Sequence, residues 1–444
     1  MKLQLQLHLI QPAMKEACLV LDRLLQAGFS AFFVGGAVRD TVLERPLHDI
    51  DIATNARPEQ VMELFPNSIP TGLQHGTVTV RVDGVSYEVT TFRKESGYTD
   101  YRRPMDIAFV DDLHEDLMRR DFTMNAMAID RTWQLHDPYG GLEHMKAGIL
   151  KTVGSSEQRF QEDALRMLRA IRFATTYKLS IDQECWDAML QAAGLMKHIA
   201  MERVAYELER LLQADDPIYG IVLLSESSLL QHTKDRLHIA AGTLKDELKL
   251  PNHRDTSMNW AVLFHSLAVS SEQAREDMRA LRTSKQLQAA CYHILQLHEW
   301  LQQVLQPMQG MNSGNQLELG IAEADQLQLS VAKGELLAWK EQWLDKLLHY
   351  PVHHLELFLH MYMNEYDAVG QVAKFHEELP IQHVKQLAVR GNDLVTWCSQ
   401  PSGPWINECL KHIFIEVASG RLVNSKEAIR TYVLNQFEGG RYNE

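Results

Sequence analysis

Four short runs, at residues 31–36, 49–54, 77–82 and 85–92, are rich in β-forming apolar residues, and in TVTVRV these recur at every second position. A period of two predicts half-buried β-strands. TVTVRV and VSYEVTTF are joined by Asp83-Gly84, a two-residue link that predicts a hairpin. Residues 14–27 and 58–65 repeat apolar positions at three- and four-residue spacing and predict helices. Residues 1–150 thus predict a mixed α+β unit.

From residue 151 the two-residue period fades. Helical spacing then runs to the end, as in 162–175, 201–212, 260–270 and 407–418. Loops are expected at Pro251-Asn252, 308–315 and 400–404. No fixed-period repeat interrupts the pattern. The fold class is α+β, a small head followed by a long all-helical portion.

With 444 residues there is length for several domains and a sizeable core. Lys and Arg total 44 against 58 Asp and Glu, a formal charge of −14. That argues against a generic nucleic-acid coat, though not against a local basic groove. No apolar run reaches the ~18 residues of a membrane span. The first ten residues, MKLQLQLHLI, lack the apolar stretch of a secretion signal. Five scattered cysteines without a CxxC pair suggest reduced thiols in a cytoplasmic protein, not a disulfide framework or a zinc site.

The first chemistry lies in FFVGGAVRDTVLERPLHDIDIAT. An apolar strand runs into Gly35-Gly36, and a helix follows with Arg39 in its first turns. Such a turn lets backbone N–H groups approach a phosphate. Asp49-Ile50-Asp51-Ile52 then predicts two carboxylates on one strand face, with the isoleucines turned to the core. Paired carboxylates repel each other, and their hard oxygens suit Mg²⁺ together with substrate phosphates.

Gly-Gly, the helical arginine and the paired aspartates together resemble the nucleotidyltransferase superfamily of DNA polymerase β type. GGAVRDTVLERPLHDIDIAT, followed in order by RRDFTMNAMAID, HDPYGGLEHMKAGILKTVG, RFQEDALRMLRAIRFA and ERVAYELERLL, resembles the class II tRNA nucleotidyltransferases. These comprise the CCA-adding enzymes and the related bacterial poly(A) polymerases. VRGNDLVTWCSQPSGPW looks like the tail of the shorter Gram-positive members. The resemblance implies a polymerase-β-like head at 1–150, a base-reading neck at 151–215, a helical body at 216–325 and a tRNA-binding tail at 326–444. It implies CCA addition to tRNA from CTP and ATP, with poly(A), CC-only or A-only addition as the alternatives. His-Asp pairs occur only in the head, at His48-Asp49 and His136-Asp137, so no HD-type phosphatase domain is expected.

The resemblance assigns the catalytic Mg²⁺ ions to Asp49 and Asp51. Glu88 is then a third carboxylate, a general base or a structural partner of an arginine. Gly36, Arg39 and Arg120 are assigned to the triphosphate, where arginine forks match phosphate oxygens. Asn125 is a candidate for the ribose hydroxyls, and Asp121 for pairing with Arg119 or Arg120. Asp163 and Arg166, three apart on a predicted helix, fall on one face. A carboxylate accepts from the exocyclic amino group that C and A carry, and G and U present a carbonyl there. Asp163 and Arg166 are therefore read as a protein template, with Arg169 and Arg172 continuing the stripe as supports or phosphate contacts. Residues 95–104, ESGYTDYRRP, read as a mobile polar loop with Tyr98 and Tyr101; in the family such a loop serves the switch from C to A.

The expected RNA partner is the acceptor stem and T-arm of tRNA, recognised by shape. Tail candidates are Lys385, Arg390, Lys411, Arg421, Lys426 and Arg430, while Trp397 and Trp405 fit the core better than an RNA face. His349, His353, His354 and His360 lack metal spacing because Pro351 interrupts them. No membrane partner is expected, and the oligomeric state, a homodimer included, stays open.

Overall fold

The computed structural model describes residues 2–4, 10–47, 49–99, 101, 103–244, 255–310, 339–362 and 367–438. The chain divides into two compact units. One holds Met1–Leu244 with Asp277–Thr283, the other Lys245–Glu276 with Ser284–Glu444.

The first unit is built on an eight-stranded sheet in the order β1-β10-β9-β2-β3-β6-β5-β4. Its strands are β1 (Lys2–Gln4), β2 (Ala31–Val34), β3 (Asp51–Thr54), β4 (Ile69–Gly72), β5 (Thr77–Val82), β6 (Val85–Thr91), β9 (Ala128–Ile129) and β10 (Gln134–His136). β2 and β3 are antiparallel with Val34 opposite Asp51, and β3 and β6 are parallel with Asp51 opposite Glu88. The expected hairpin forms between β5 and β6. Asp83 and Gly84 both take positive φ, at 49° and 82°, as a two-residue turn requires. Helices α1 (Pro12–Gln26), α2 (Gly36–Val42), α3 (Pro58–Leu64) and α4 (Leu113–Met118) accompany the sheet. Phe33, Ile52, Val78, Val80 and Val89 are fully buried, which confirms the alternation read from the sequence.

Two sequence expectations change here. The strand expected at 49–54 begins at Asp51, so Asp49 precedes it and is exposed, and only Ile52 of the two isoleucines is buried. The segment expected as a loop at 95–104 belongs largely to a two-stranded antiparallel ribbon, β7 (Arg93–Thr99) with β8 (Arg103–Phe109). The Tyr98 side chain lies outside the described residues.

After α5 (Gly141–Lys146), β11 (Ile149–Leu150) pairs in parallel with β12 (Ser180–Ile181), a short strand beyond the point where strand signals fade. Between them lies a third change. The helix expected at 162–175 breaks into α6 (Ser156–Glu162) and α7 (Leu165–Tyr177), and Asp163 sits in the break with extended backbone, φ −143°. The Ala164 N–H leaves the helical ladder and donates to the Tyr101 carbonyl at 3.2 Å. The Leu165 N–H donates to Asp163 Oδ1 at 3.0 Å, so the aspartate caps the helix that follows. α8 (Gln183–Ala192), α9 (Met201–Leu212) and α10 (Pro217–Ser227) complete the region. α9 matches its expected bounds and buries Val204, Leu208, Leu211 and Leu212.

The second unit contains helices α11 (Thr256–Ser266) and α13 (Lys285–Gly310), α14 over 339–349, α15 (Val352–Tyr362), α16 (Asp367–Glu378), α17 (Gly391–Cys398), α18 (Trp405–Ala418) and α19 (Lys426–Glu438). α12 (Ser271–Ala280) contributes its last residues to the first unit. Trp260, Trp343, Phe358 and Phe414 fill this unit's interior. The expected loop at 400–404 lies between α17 and α18. Pro251-Asn252 falls outside the described residues, and α13 runs to Gly310 through part of the loop expected at 308–315. Contrary to expectation, Trp397 and Trp405 are half-buried. Lys411, Arg421 and Lys426 pair with Glu408, Glu416 and Asp393. Among the expected histidines, His354 makes an Nδ1 to Nδ1 contact of 2.8 Å with His293 of α13. Among the described residues, no helix is long and apolar enough to cross a membrane.

Candidate active site

A cleft of about 770 Å³ opens within the first unit. Ten arginines and seven carboxylates line it, and its volume falls in the usual range for small-molecule sites. Gly35, Gly36, Arg39, Asp49, Asp51, Arg120, Asp163, Arg166, Arg169 and Arg172 all line it, so it gathers nearly every residue singled out from the sequence.

One wall is the turn between β2 and α2. Gly35 has φ 67°, and a Cβ there would lie 3.1 Å from Arg120 Nη1 and 3.3 Å from Asp51 Oδ2. A side chain would be strained by the backbone and crowd both groups. Asp51 is held by its strand, with Glu88 in register on β6 and Asp49 two residues upstream. Burial pushes the Asp51 carboxyl up; Arg120 opposes this, and the charges of Glu88 and Asp49 add to it. Glu88 is exposed and is not among the residues lining the cleft. Among the described residues no cluster of three or more His, Cys, Asp or Glu stands at metal-holding spacing. Asp49 and Asp51 form an oxygen pair with excess negative charge, which fits a hard divalent cation whose remaining ligands come from water and phosphate.

The arginines are held from behind. Asp116 of α4 is buried; its Oδ1 accepts from Arg119 at 2.7 and 2.9 Å, and its Oδ2 from Arg120 at 3.3 Å. Burial raises the Asp116 carboxyl, but Arg119 and Arg120 outweigh it and the net shift is downward. Arg120, which also lines the cleft, keeps its Nε buried with no hydrogen-bond partner. Arg39 is more committed. It donates to both oxygens of Asp40, at 3.0 and 2.8 Å, and to Asn125 Oδ1 at 2.7 Å, with Tyr177 beneath its guanidinium at 4.5 Å.

Asn125 also donates to Asp121 at 3.0 Å, so both ends of its amide are engaged within the protein. Asp121 pairs with Arg169, at 2.9 and 2.5 Å, and not with Arg119 or Arg120 as expected. Burial would raise its carboxyl, yet Arg169 and Asn125 hold it well below the usual carboxylate range. Arg172 donates to Glu207 of α9 at 2.6 Å and lies 3.9 Å over the Phe173 ring. Arg166 pairs with Glu162 and donates to the Arg119 carbonyl at 3.2 Å. Asp163 does not share a helical face with Arg166. It accepts both arms of Arg203, at 3.3 and 2.8 Å.

Residues 31–151 match the poly A polymerase head domain, 178–237 the "probable RNA and SrmB-binding site of polymerase A", and 352–433 the tRNA nucleotidyltransferase domain 2. A CCA-adding enzyme of Geobacillus sp. (strain WCH70) is 38% identical over 425 residues, covering 94% of this chain and 96% of that protein. A CCA-adding enzyme of Anoxybacillus flavithermus is 35% identical over 430 residues, 95% of this chain and 96% of its own. The chain belongs to the CCA-adding enzymes. It is a nucleotidyltransferase with the α+β fold expected of that family. The crystal structure of the Bacillus stearothermophilus CCA-adding enzyme in complex with CTP is 31% identical and superposes with a TM-score of 0.76, covering 98% of this chain and all of that one. The Thermotoga maritima CCA-adding enzyme complexed with tRNA, at 18% identity and a TM-score of 0.62, shares the fold.

Within this CCA-adding enzyme, four supporting residues escaped the sequence reading: Asp40, Asp116, Arg203 and Glu207. Asp116 had a usable signal, because Asp-x-x-Arg-Arg places both arginines one helical turn from the carboxylate. Arg203 and Glu207 stand four apart on α9, another turn-length pair, but nothing local says that their partners are Asp163 and Arg172.

Proposed function

We propose that this chain adds and repairs the 3′-terminal CCA of tRNA, using CTP and ATP and no nucleic-acid template. The observation that carries the reading is one cleft with the Asp49 and Asp51 carboxylates on one wall and Asp163 and Arg166 on another, joined by arginines. Near full-length identity to CCA-adding enzymes supports it.

The RNA 3′-oxygen attacks the α-phosphorus of the bound nucleotide. The bond from that phosphorus to the bridging oxygen breaks, pyrophosphate leaves, and the hydroxyl proton passes to solvent. Such transfers need positioning and charge stabilisation more than a covalent nucleophile. Asp49 and Asp51 would hold Mg²⁺, which would supply charge neutralisation at the triphosphate and acidify the attacking hydroxyl. Arg120, with its unpartnered Nε, and Gly36 receive the triphosphate; Arg39 helps fix that wall through Asp40 and Asn125. Asp163 and Arg166 read the base edge, and Arg169 and Arg172 brace them through Asp121 and Glu207. The tip of the β7–β8 ribbon, bonded through Tyr101 to Ala164, connects that ribbon to the base-reading break.

The head at 1–150 performs the chemistry and the neck at 151–215 reads the base. The body at 216–325 and tail at 326–444 hold the acceptor stem and T-arm by shape, and the protein works in the cytoplasm. Incubation with Mg²⁺ and a tRNA lacking its last three nucleotides tests the reading. CTP alone gives two additions, and CTP with ATP gives three and a stop. A long A ladder from ATP alone would instead identify a poly(A) polymerase.

A further inference from the structure

We propose that Arg203 sets which bases are accepted, by fixing the plane of the Asp163 carboxylate so that a single acceptor direction remains open. The inference rests on the reading of Asp163 and Arg166 as the base-reading pair. Arg203 is then a positioning residue that acts through Asp163.

Asp163 has extended backbone between α6 and α7, so no helical ladder fixes its side chain. The terminal torsion of an aspartate is a broad, two-fold rotor, and a loose carboxylate offers acceptors over a wide arc. Here the carboxylate is not loose. Arg203 Nη2 meets Oδ2 at 2.8 Å, Arg203 Nη1 meets Oδ1 at 3.3 Å, and the Leu165 N–H takes Oδ1 at 3.0 Å. A carboxylate has about four lone-pair sites. Three donors leave about one, on Oδ2. Cytosine and adenine each bring one exocyclic amino group, whereas uracil and guanine bring a carbonyl that such an oxygen repels. The planar fork of arginine fixes the carboxylate plane as a single ammonium would not.

Position supports the assignment. Arg203 lines the cleft, and its side chain is 25% exposed against 18% for Asp163. One turn further along α9, Glu207 holds Arg172. One helix thus braces the base-reading segment at both ends, and Tyr101 holds the break from the opposite strand ribbon.

The test measures kcat/KM for CTP and UTP on tRNA lacking CCA, with Arg203→Ala, Arg203→Lys, Asp163→Ala and the double alanine variant. Arg203→Ala is expected to lower the C-over-U ratio about tenfold or more while the KM for CTP changes less than about threefold. Arg203→Lys keeps the charge but not the fork; it is expected to move the ratio in the same direction, and it carries the test if the alanine variant does not fold. In the Asp163→Ala background, Arg203→Ala should relax selectivity no further. An unchanged ratio in the Arg203 variants, wild-type selectivity in Arg203→Lys, or equal KM increases for CTP and UTP would overturn the inference. If Asp163→Ala itself left selectivity intact, the base-reading assignment would fail instead.

Discussion

The two working ends of the cleft are built on opposite principles. At the Asp49–Asp51 end, carboxylates crowd together and burial disfavours the charge of Asp51. At the Asp163–Arg166 end, nearly every charge has a fixed partner: Asp163 with Arg203, Arg166 with Glu162, Arg169 with Asp121, Arg172 with Glu207. The first end keeps negative charge in excess and suits cations that arrive with substrate. The second is neutralised in advance and rigid, which suits discrimination between edges differing by one hydrogen-bonding group.

The contrast can be broken experimentally. Asp49→Ala or Asp51→Ala should lower nucleotide addition by about 10³-fold or more while tRNA binding, followed by gel shift, stays nearly intact. Normal turnover in either variant would remove the metal assignment. At the braced end, Asp121→Asn leaves Arg169 only the longer contact to Glu207, at 3.9 Å, and should cost roughly 3 kcal/mol at neutral pH, read by denaturant unfolding. The folded-state pKa of Asp121 is depressed, so its contribution is present above the unfolded value of about 4 and is lost as pH falls through the folded value. The gap between wild type and variant should therefore shrink below about pH 4; a constant gap would contradict the clamp. Between the two ends, Arg120→Ala should raise KM for CTP and ATP alike, by about tenfold, without changing the C-over-U ratio. A change in that ratio would show that the ends are not separable.

Much of this was legible in the chain because local rules and tertiary structure agree. A continuous apolar run located β2, alternation located β5 and β6, and Asp83-Gly84 located the hairpin turn between the last two. Helix α9 came out at 201–212 because its apolar stripe is unbroken. Legibility failed where distant residues decide. The helical pattern runs straight through Asp163, and only Tyr101 and Arg203, remote in sequence, divert the backbone and side chain there. The β7–β8 ribbon escaped for a different reason: β7 carries Arg, Lys, Glu and Ser where an alternating apolar face would have announced it, and the alternation of Met105, Ile107 and Phe109 in β8 was left unread. Asp121 had two arginines beside it in sequence and pairs with neither, because α7 brings Arg169 closer.

All ten cations lining the cleft are arginines, and no lysine stands among its described lining residues. A guanidinium does not lose its proton at any pH a cell reaches, and it offers no amine to acetyl donors. The hold on a triphosphate is therefore shielded from the acylation chemistry that silences many lysine-based phosphate sites, and from swings in acidity. The positive charge of the cleft's lining cations stays constant as pH varies.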